Sequence, residues 1–165
     1  MFLVRESLVF ARMDAAGVTT SIPNTASGPG AFATKMMFGT VNADTTGTIA
    51  DIANGRMNII AGFNFCRVGY TVAFDLNSVG WRGVRIKNSL GQNYGNQRLL
   101  AVASDATTNP SYTTPWLKIS KVANAAPSTV MLGDYFELWP AQTSGGNLNA
   151  GADTASSWFH IEFKN

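Results

Sequence analysis

A single cysteine, Cys66, and a single histidine, His160, stand in a chain of 165 residues. One thiol cannot close an internal disulfide, so the small disulfide-stapled domains are excluded and stability must come from packing or assembly. One imidazole cannot form a zinc-binding histidine pair, and one cysteine cannot form a thiolate cluster; no EF-hand calcium loop occurs either. The expectation is no metal and no cofactor. Charge is scarce as well: 13% of residues are charged, and twelve cations against ten acids leave +2, too small an excess to argue for nucleic acid. Nowhere do about eighteen apolar residues run uninterrupted, so no membrane-spanning helix is expected. The opening stretch 1–10 is interrupted by Arg5 and Glu6 and does not read as a signal peptide. Asn-x-Ser/Thr acceptors, heptads, collagen triplets and internal repeats are also missing. Any oligomer must therefore form through the globular part or the N-terminal segment.

What the chain does contain is short apolar runs separated by Gly, Ala, Thr, Ser and Asn, a composition of strands and turns in a length suited to one domain. Across 68–76, Val68, Tyr70, Val72, Phe74 and Leu76 alternate with Gly69, Thr71, Ala73 and Asp75. That period of two predicts a half-buried strand. A following run points Val84 and Ile86 inward and Arg85 and Lys87 outward, and the two runs read as a hairpin. Further strands are expected at 116–122, at 131–139 and at 158–164. In the second, Leu132, Phe136 and Leu138 oppose a face bearing Tyr135 and Trp139; in the third, Phe159, Ile161 and Phe163 alternate with Trp158, His160 and Glu162. Segments 103–112 and 142–154 read as loops. Residues 1–34 read as an N-terminal arm, or a strand followed by a linker, with 17–30 the extended part; 35–165 read as the globular domain. Six or more short strands without a helical window predict an all-β antiparallel sandwich or barrel.

From residue 35 onward the order of motifs resembles the C1q/TNF-like domains, particularly those of phage and bacterial surface proteins. The likeness rests on Met37-Phe38 with the 42–47 turn, Met57-Asn58-Ile59-Ile60, the run from Phe65 to Phe74, and Gly80-Trp81-Arg82-Gly83-Val84-Arg85-Ile86. The Gly133-Asp134 turn into Tyr135-Phe136-Glu137-Leu138, the turn Gln142-Thr143-Ser144-Gly145, and the closing 158–163 strand complete it. A collagen stalk is missing, as is a Gly-x-Tyr at Gly62-Phe63-Asn64. The resemblance implies a ten-stranded jelly-roll β-sandwich assembled as a homotrimer. Tyr135, Trp139 and Trp158 are the candidate oligomer interface, since spare aromatics on a strand suit a face buried by a neighbour.

Catalytic chemistry finds little footing. Cys66 and His160 each sit at strand positions among aromatics, where a buried structural thiol is the common case. Glu137, Glu162, Asp75 and Asp134 supply carboxylates, but no spacing selects a hydrolytic pair, and Asp134 belongs to a turn. Trp81, Arg82, Arg85, Tyr94 and Tyr112 form the candidate partner or ligand surface, suited to acidic glycans, although alternating charge on a strand is commonly just a solvated face. The expected function is a non-enzymatic virion protein of a tailed phage: a homotrimer decorating the capsid surface or forming a short fibre knob, with the N-terminal arm touching the capsid or tail protein. The alternatives are a receptor- or glycan-binding fibre tip and, after that, a polysaccharide hydrolase.

Overall fold

The computed structural model describes residues 8–25, 32–100, 109–122, 128–151 and 157–165. Fourteen strand segments follow in order: β1 (Val9–Asp14), β2 (Thr20–Ile22), β3 (Thr40–Asp44), β4 (Ala50–Asp51), β5 (Arg56–Asn58), β6 (Phe65–Thr71), β7 (Trp81–Asn88), β8 (Asn93–Leu100), β9 (Ser111–Thr113), β10 (Leu117–Ser120), β11 (Thr129–Met131), β12 (Tyr135–Gln142), β13 (Leu148–Ala150) and β14 (Trp158–Lys164). A 3-10 turn, Ile52–Asn54, separates β4 from β5. One sheet runs β11-β10-β6-β14-β1-β3, with β9 sharing the edge of β6; the second runs β4-β5-β12-β7-β8; β13 and β2 form a short ribbon. Among the described residues the strand pairings are antiparallel except β10 with β11, and the isolated bridge between Asn24 and Gln142 is parallel as well. The fold is an all-β jelly-roll sandwich.

Alternation along each strand builds the two layers. In β14, Phe159, Ile161 and Phe163 are buried while Trp158, His160, Glu162 and Lys164 look outward, and β1 supplies Ala11 and Met13 to the same interior. From the facing sheet come Met57, Val84, Ile86, Phe136 and Leu138, all essentially without solvent contact. Tyr70 bridges the layers, its hydroxyl donating to the Val84 carbonyl at 3.0 Å. Burial of this large ring leaves one polar atom, and the bond satisfies it.

The N-terminal segment is built into the sandwich between residues 9 and 22. β1 lies between β14 and β3, and β2 pairs with β13 with Ile22 buried. Downstream, Met36 donates its backbone N–H to Leu138 and sinks its side chain into the core beside Phe38.

Three sequence expectations need correction. The runs at 68–76 and 84–87 do not form a hairpin: β6 pairs with β14, β10 and β9, whereas β7 pairs with β12 and β8 in the opposite layer. Alternation specifies which side of a strand is apolar but not which strand lies beside it. The first of these strands also stops at Thr71. Val72 and Phe74 remain buried, Phe74 bridging to Ala150, but Leu76 is 61% exposed and has left the core. Similarly, the expected strand at 131–139 divides at Leu132-Gly133-Asp134 into β11 and β12. Gly133 takes a positive φ of 82° there, a conformation that favours glycine.

Candidate functional site

The outer face of the seven-stranded sheet carries aromatic rings set among cations. On β14 Trp158 and His160 lie with ring centroids 5.0 Å apart, and the Arg12 guanidinium of β1 sits 5.5 Å from the Trp158 centroid. Arg67 of β6 grips Glu162 through two guanidinium nitrogens at 2.6 and 2.7 Å while lying 4.8 Å over Trp116. Lys164 covers Trp116 from 4.4 Å. Arg12 is held in turn by Asp14 at 2.6 Å. The result is a tessellated surface in which each cation is pinned by a carboxylate, a ring or both.

At its centre lies Gly69, opposite His160 on β14 and Thr113 on β9. A Cβ on Gly69 would lie 2.4 Å from His160 Cε1 and 2.6 Å from Thr113 Oγ1, so the imidazole occupies space that only glycine leaves open. Burial lowers the His160 pKa below its ordinary 6.5; Glu162, with its Oε1 3.5 Å from Nε2, pulls the other way, and Arg67 and Arg12 reinforce the lowering.

The outer face of the five-stranded sheet is different in kind. Tyr135, Glu137 and Trp139 of β12 oppose Asn58 and Arg56 of β5 and Lys87 and Arg85 of β7. Arg56 stacks 4.5 Å from the Tyr135 centroid and binds Asp51 at 2.9 Å; Lys35 binds Glu137 at 3.1 Å. Beyond these pairs, Phe32 descends onto the sheet. Only 3% exposed, it clusters with Trp81, Trp139 and Ala141, with the Arg85 guanidinium 4.0 Å from its ring centroid. Lys87 donates from Nζ to the Phe32 carbonyl at 2.9 Å and lies 4.2 Å over the Trp139 ring. Burial lowers the Lys87 pKa, Arg85 adds to the lowering, and Glu137 opposes it.

The residues singled out from sequence are therefore distributed over several environments. Tyr135 and Trp139 share one outer face, but Trp158 lies on the other sheet, so the three cannot form one continuous interface on a single subunit face. Trp81 and Arg85 do meet, at the Phe32 cluster. Arg82 and Tyr94 are corrections to the proposed ligand surface. Arg82 shares the inward parity of Val84 and Ile86, is 1% exposed, and donates to the carbonyls of Asn77, Val79 and Trp81. Tyr94 is buried edge-on against Phe136 and donates its hydroxyl to the Thr129 carbonyl at 3.0 Å. Tyr112 lies half-buried with its ring beside Tyr70 and over Gly95, at the β9 side of the sandwich. Sequence reasoning did not single out Arg12, Arg67 or Phe32 as site residues. Strand parity marks Arg67 as outward, but only the β6–β14 register shows that it faces Glu162.

Nothing in this geometry assembles a nucleophile or an acid–base pair from the named candidates. Cys66 is buried, and desolvation pushes its thiol up to about 12; a thiolate is the reactive form, so this is an inert setting. Glu137 and Glu162 lie on different sheets, each bound to a cation. Asp134 accepts from the N–H groups of Ser89 and Tyr135 and from the Asn88 amide, which is the work of a turn. Among the described residues no group of three or more His, Cys, Asp or Glu is placed to hold a metal ion, and no helix is long and apolar enough to cross a membrane.

No protein-family profile and no curated protein sequence matches the chain. Solved structures do. Eiger TNF from S. frugiperda aligns with a TM-score of 0.54 at 8% identity, covering 96% of this chain and 93% of that one. The globular domain of zebrafish complement 1qA aligns at 0.47 with 12% identity over 89% and 98% of the two chains. A structure of infectious bursal disease virus, Gt strain, aligns at 0.46 with 13% identity over 96% of this chain and 34% of that chain. The likeness to the TNF structure supports the jelly-roll fold expected from the order of motifs, and at such identity it concerns fold alone.

Proposed function

We propose that the chain is a non-enzymatic structural protein of a tailed-phage virion, a homotrimer exposed on the particle surface as a capsid decoration or a short fibre knob. The observation that carries the self-association is the outer face of the seven-stranded sheet: Trp158, His160 and Trp116 braced by Arg12, Arg67 and Lys164. Aromatic residues and arginine are the side chains that subunit interfaces concentrate, and the pairing of Arg12 with Asp14 and Arg67 with Glu162 offsets part of the desolvation cost that a covering neighbour would impose. Cyclic closure would use this face in every subunit. The virion assignment rests on the resemblance of the motif order to phage surface domains and on the jelly-roll fold.

Localisation tests the assignment. Antibody raised against the folded protein is expected to decorate intact purified particles in electron microscopy, at regular positions on the head or at the tail tip. Its exclusive recovery in the particle-free fraction of an infected lysate would contradict it.

A further inference from the structure

We propose that Asn54 is a modification site, an Asn-Gly pair able to cyclise and deamidate, which the Asp51 carboxylate holds closed while the chain is folded. It lies in the turn between β4 and β5, at the edge of the five-stranded sheet, and its chemistry is independent of self-association through the Trp158 face.

Asn54-Gly55 is the one Asn-Gly pair in the sequence. Glycine is the successor that most favours attack by its own backbone nitrogen on the asparagine side chain, because no Cβ hinders the approach. The fold demands glycine here all the same. Gly55 caps the 3-10 turn with φ 60° and ψ 41°, in the left-handed region, and a Cβ on it would lie 2.8 Å from the Met36 carbonyl oxygen. Any side chain would be strained and would collide with backbone. Asn54 itself is exposed, so water and base reach it.

In the reaction, base removes the Gly55 amide proton and the nitrogen's electron pair forms a bond to Asn54 Cγ. The Cγ–Nδ2 bond breaks, ammonia leaves with a proton from solvent, and a cyclic succinimide remains. Water then adds to either ring carbonyl and opens the ring to aspartate or isoaspartate. Net, water is consumed and ammonia released, with no change of oxidation state.

Three contacts oppose this sequence. Asn54 Nδ2 donates to both Asp51 oxygens, at 3.1 and 3.0 Å, drawing the side chain back toward residue 51 when the attacking nitrogen lies one residue ahead. The Asn54 backbone N–H donates to Asp51 Oδ1 at 3.1 Å, which fixes the turn. The Gly55 N–H, whose proton must be lost, donates to the Ile52 carbonyl at 3.2 Å. Asp51 is itself held by Arg56 at 2.9 Å. Burial alone would raise its pKa, but the Asn54 bonds and Arg56 hold the carboxyl below its ordinary 3.8, so the clamp is charged wherever an amide nitrogen can lose its proton. Conversion would set a second carboxylate against Asp51 or, as isoaspartate, lengthen the main chain at Gly55. Either change weakens the corner that pairs Asp51 with Arg56 and joins β4 to β5.

The test is peptide mapping by mass spectrometry, with enzymatic isoaspartyl methylation as a second readout, on the full chain kept in mildly alkaline buffer either folded or unfolded in guanidinium chloride. Asn54 is expected to deamidate at least about 10-fold more slowly in the folded chain than in the unfolded one. Asp51→Ala is expected to remove most of that protection while the other asparagines in the same digest keep their rates. Asp51→Ser retains a capping oxygen for the Asn54 N–H but cannot hold the side-chain amide through a carboxylate. It is expected to accelerate the reaction as well, and it answers the question should Asp51→Ala fail to fold. Equal rates in the folded and unfolded chains, or a folded rate at Asn54 untouched by loss of the Asp51 carboxylate, would overturn the proposal.

Discussion

His160 gathers much of the electrostatics of the seven-stranded sheet into one side chain. It lies across Gly69, touches Glu162, and faces Arg12 and Arg67 with Trp158 alongside. Its folded-state pKa is depressed, chiefly by burial, below the 6.5 of the open chain. Between those two values the unfolded state binds the proton and the folded state does not, so stability rises with pH through that window and falls as the solution is acidified below 6.5. Melting curves between about pH 7.5 and pH 5 should show this loss, and His160→Gln should flatten the part of the slope due to this residue. A slope unchanged by the substitution would assign the acid sensitivity to carboxylates instead. Asp44 contributes its own slope lower down. Burial alone would raise its pKa, but the N–H groups of Ala50, Thr46, Gly47 and Ile49 outweigh it and hold the carboxyl below 3.8, so its contribution disappears only under stronger acid.

Among the elements, the end of the sandwich where β7, β8, β11 and β12 meet is held by polar atoms in a confined space. The Asn88 amide donates to Gln92 at 2.9 Å and to Asp134 at 2.9 Å, and the Tyr94 hydroxyl ties β8 to β11 through the Thr129 carbonyl. Tyr94→Phe leaves that carbonyl without its donor in a buried site. The expected cost is about 1–2 kcal/mol, read as a lower denaturation midpoint with an unchanged m-value. A neutral result would mean that water replaces the hydroxyl.

The strands themselves show how far local pattern reaches. β14 was legible to the residue because it is central: both edges are paired, one face meets the core, and its alternation is undisturbed from Trp158 to Lys164. By contrast, β6 and β7 alternate just as clearly yet belong to opposite layers, since the pairing is set by long-range contacts that no run of nine residues encodes. The same limit applies to the site. Arg82 looked like surface charge by residue type, although its parity with Val84 and Ile86 already pointed inward; its burial is tolerated because three backbone carbonyls receive its protons. Phe32 carried no signal in a polar, Gly-rich context, and only the fold shows it against Trp81 and Arg85.

At the scale of the whole molecule, the two sheets divide the exterior into surfaces of unlike character. One is a broad plane of rings and paired charges; the other is a sheet partly sealed by the chain's own Phe32. This division places Tyr135 and Trp139 on one sheet and Trp158 on the other, and the association proposed above uses the Trp158 side. The mass of the purified protein in solution tests that assignment most directly, measured by sedimentation equilibrium alongside Trp158→Glu at micromolar concentration. Association through the seven-stranded sheet predicts three times the monomer mass for the unaltered chain and the monomer mass for Trp158→Glu, with both retaining the same β-sheet circular dichroism. A monomeric unaltered chain, or a trimer indifferent to the glutamate, would contradict it.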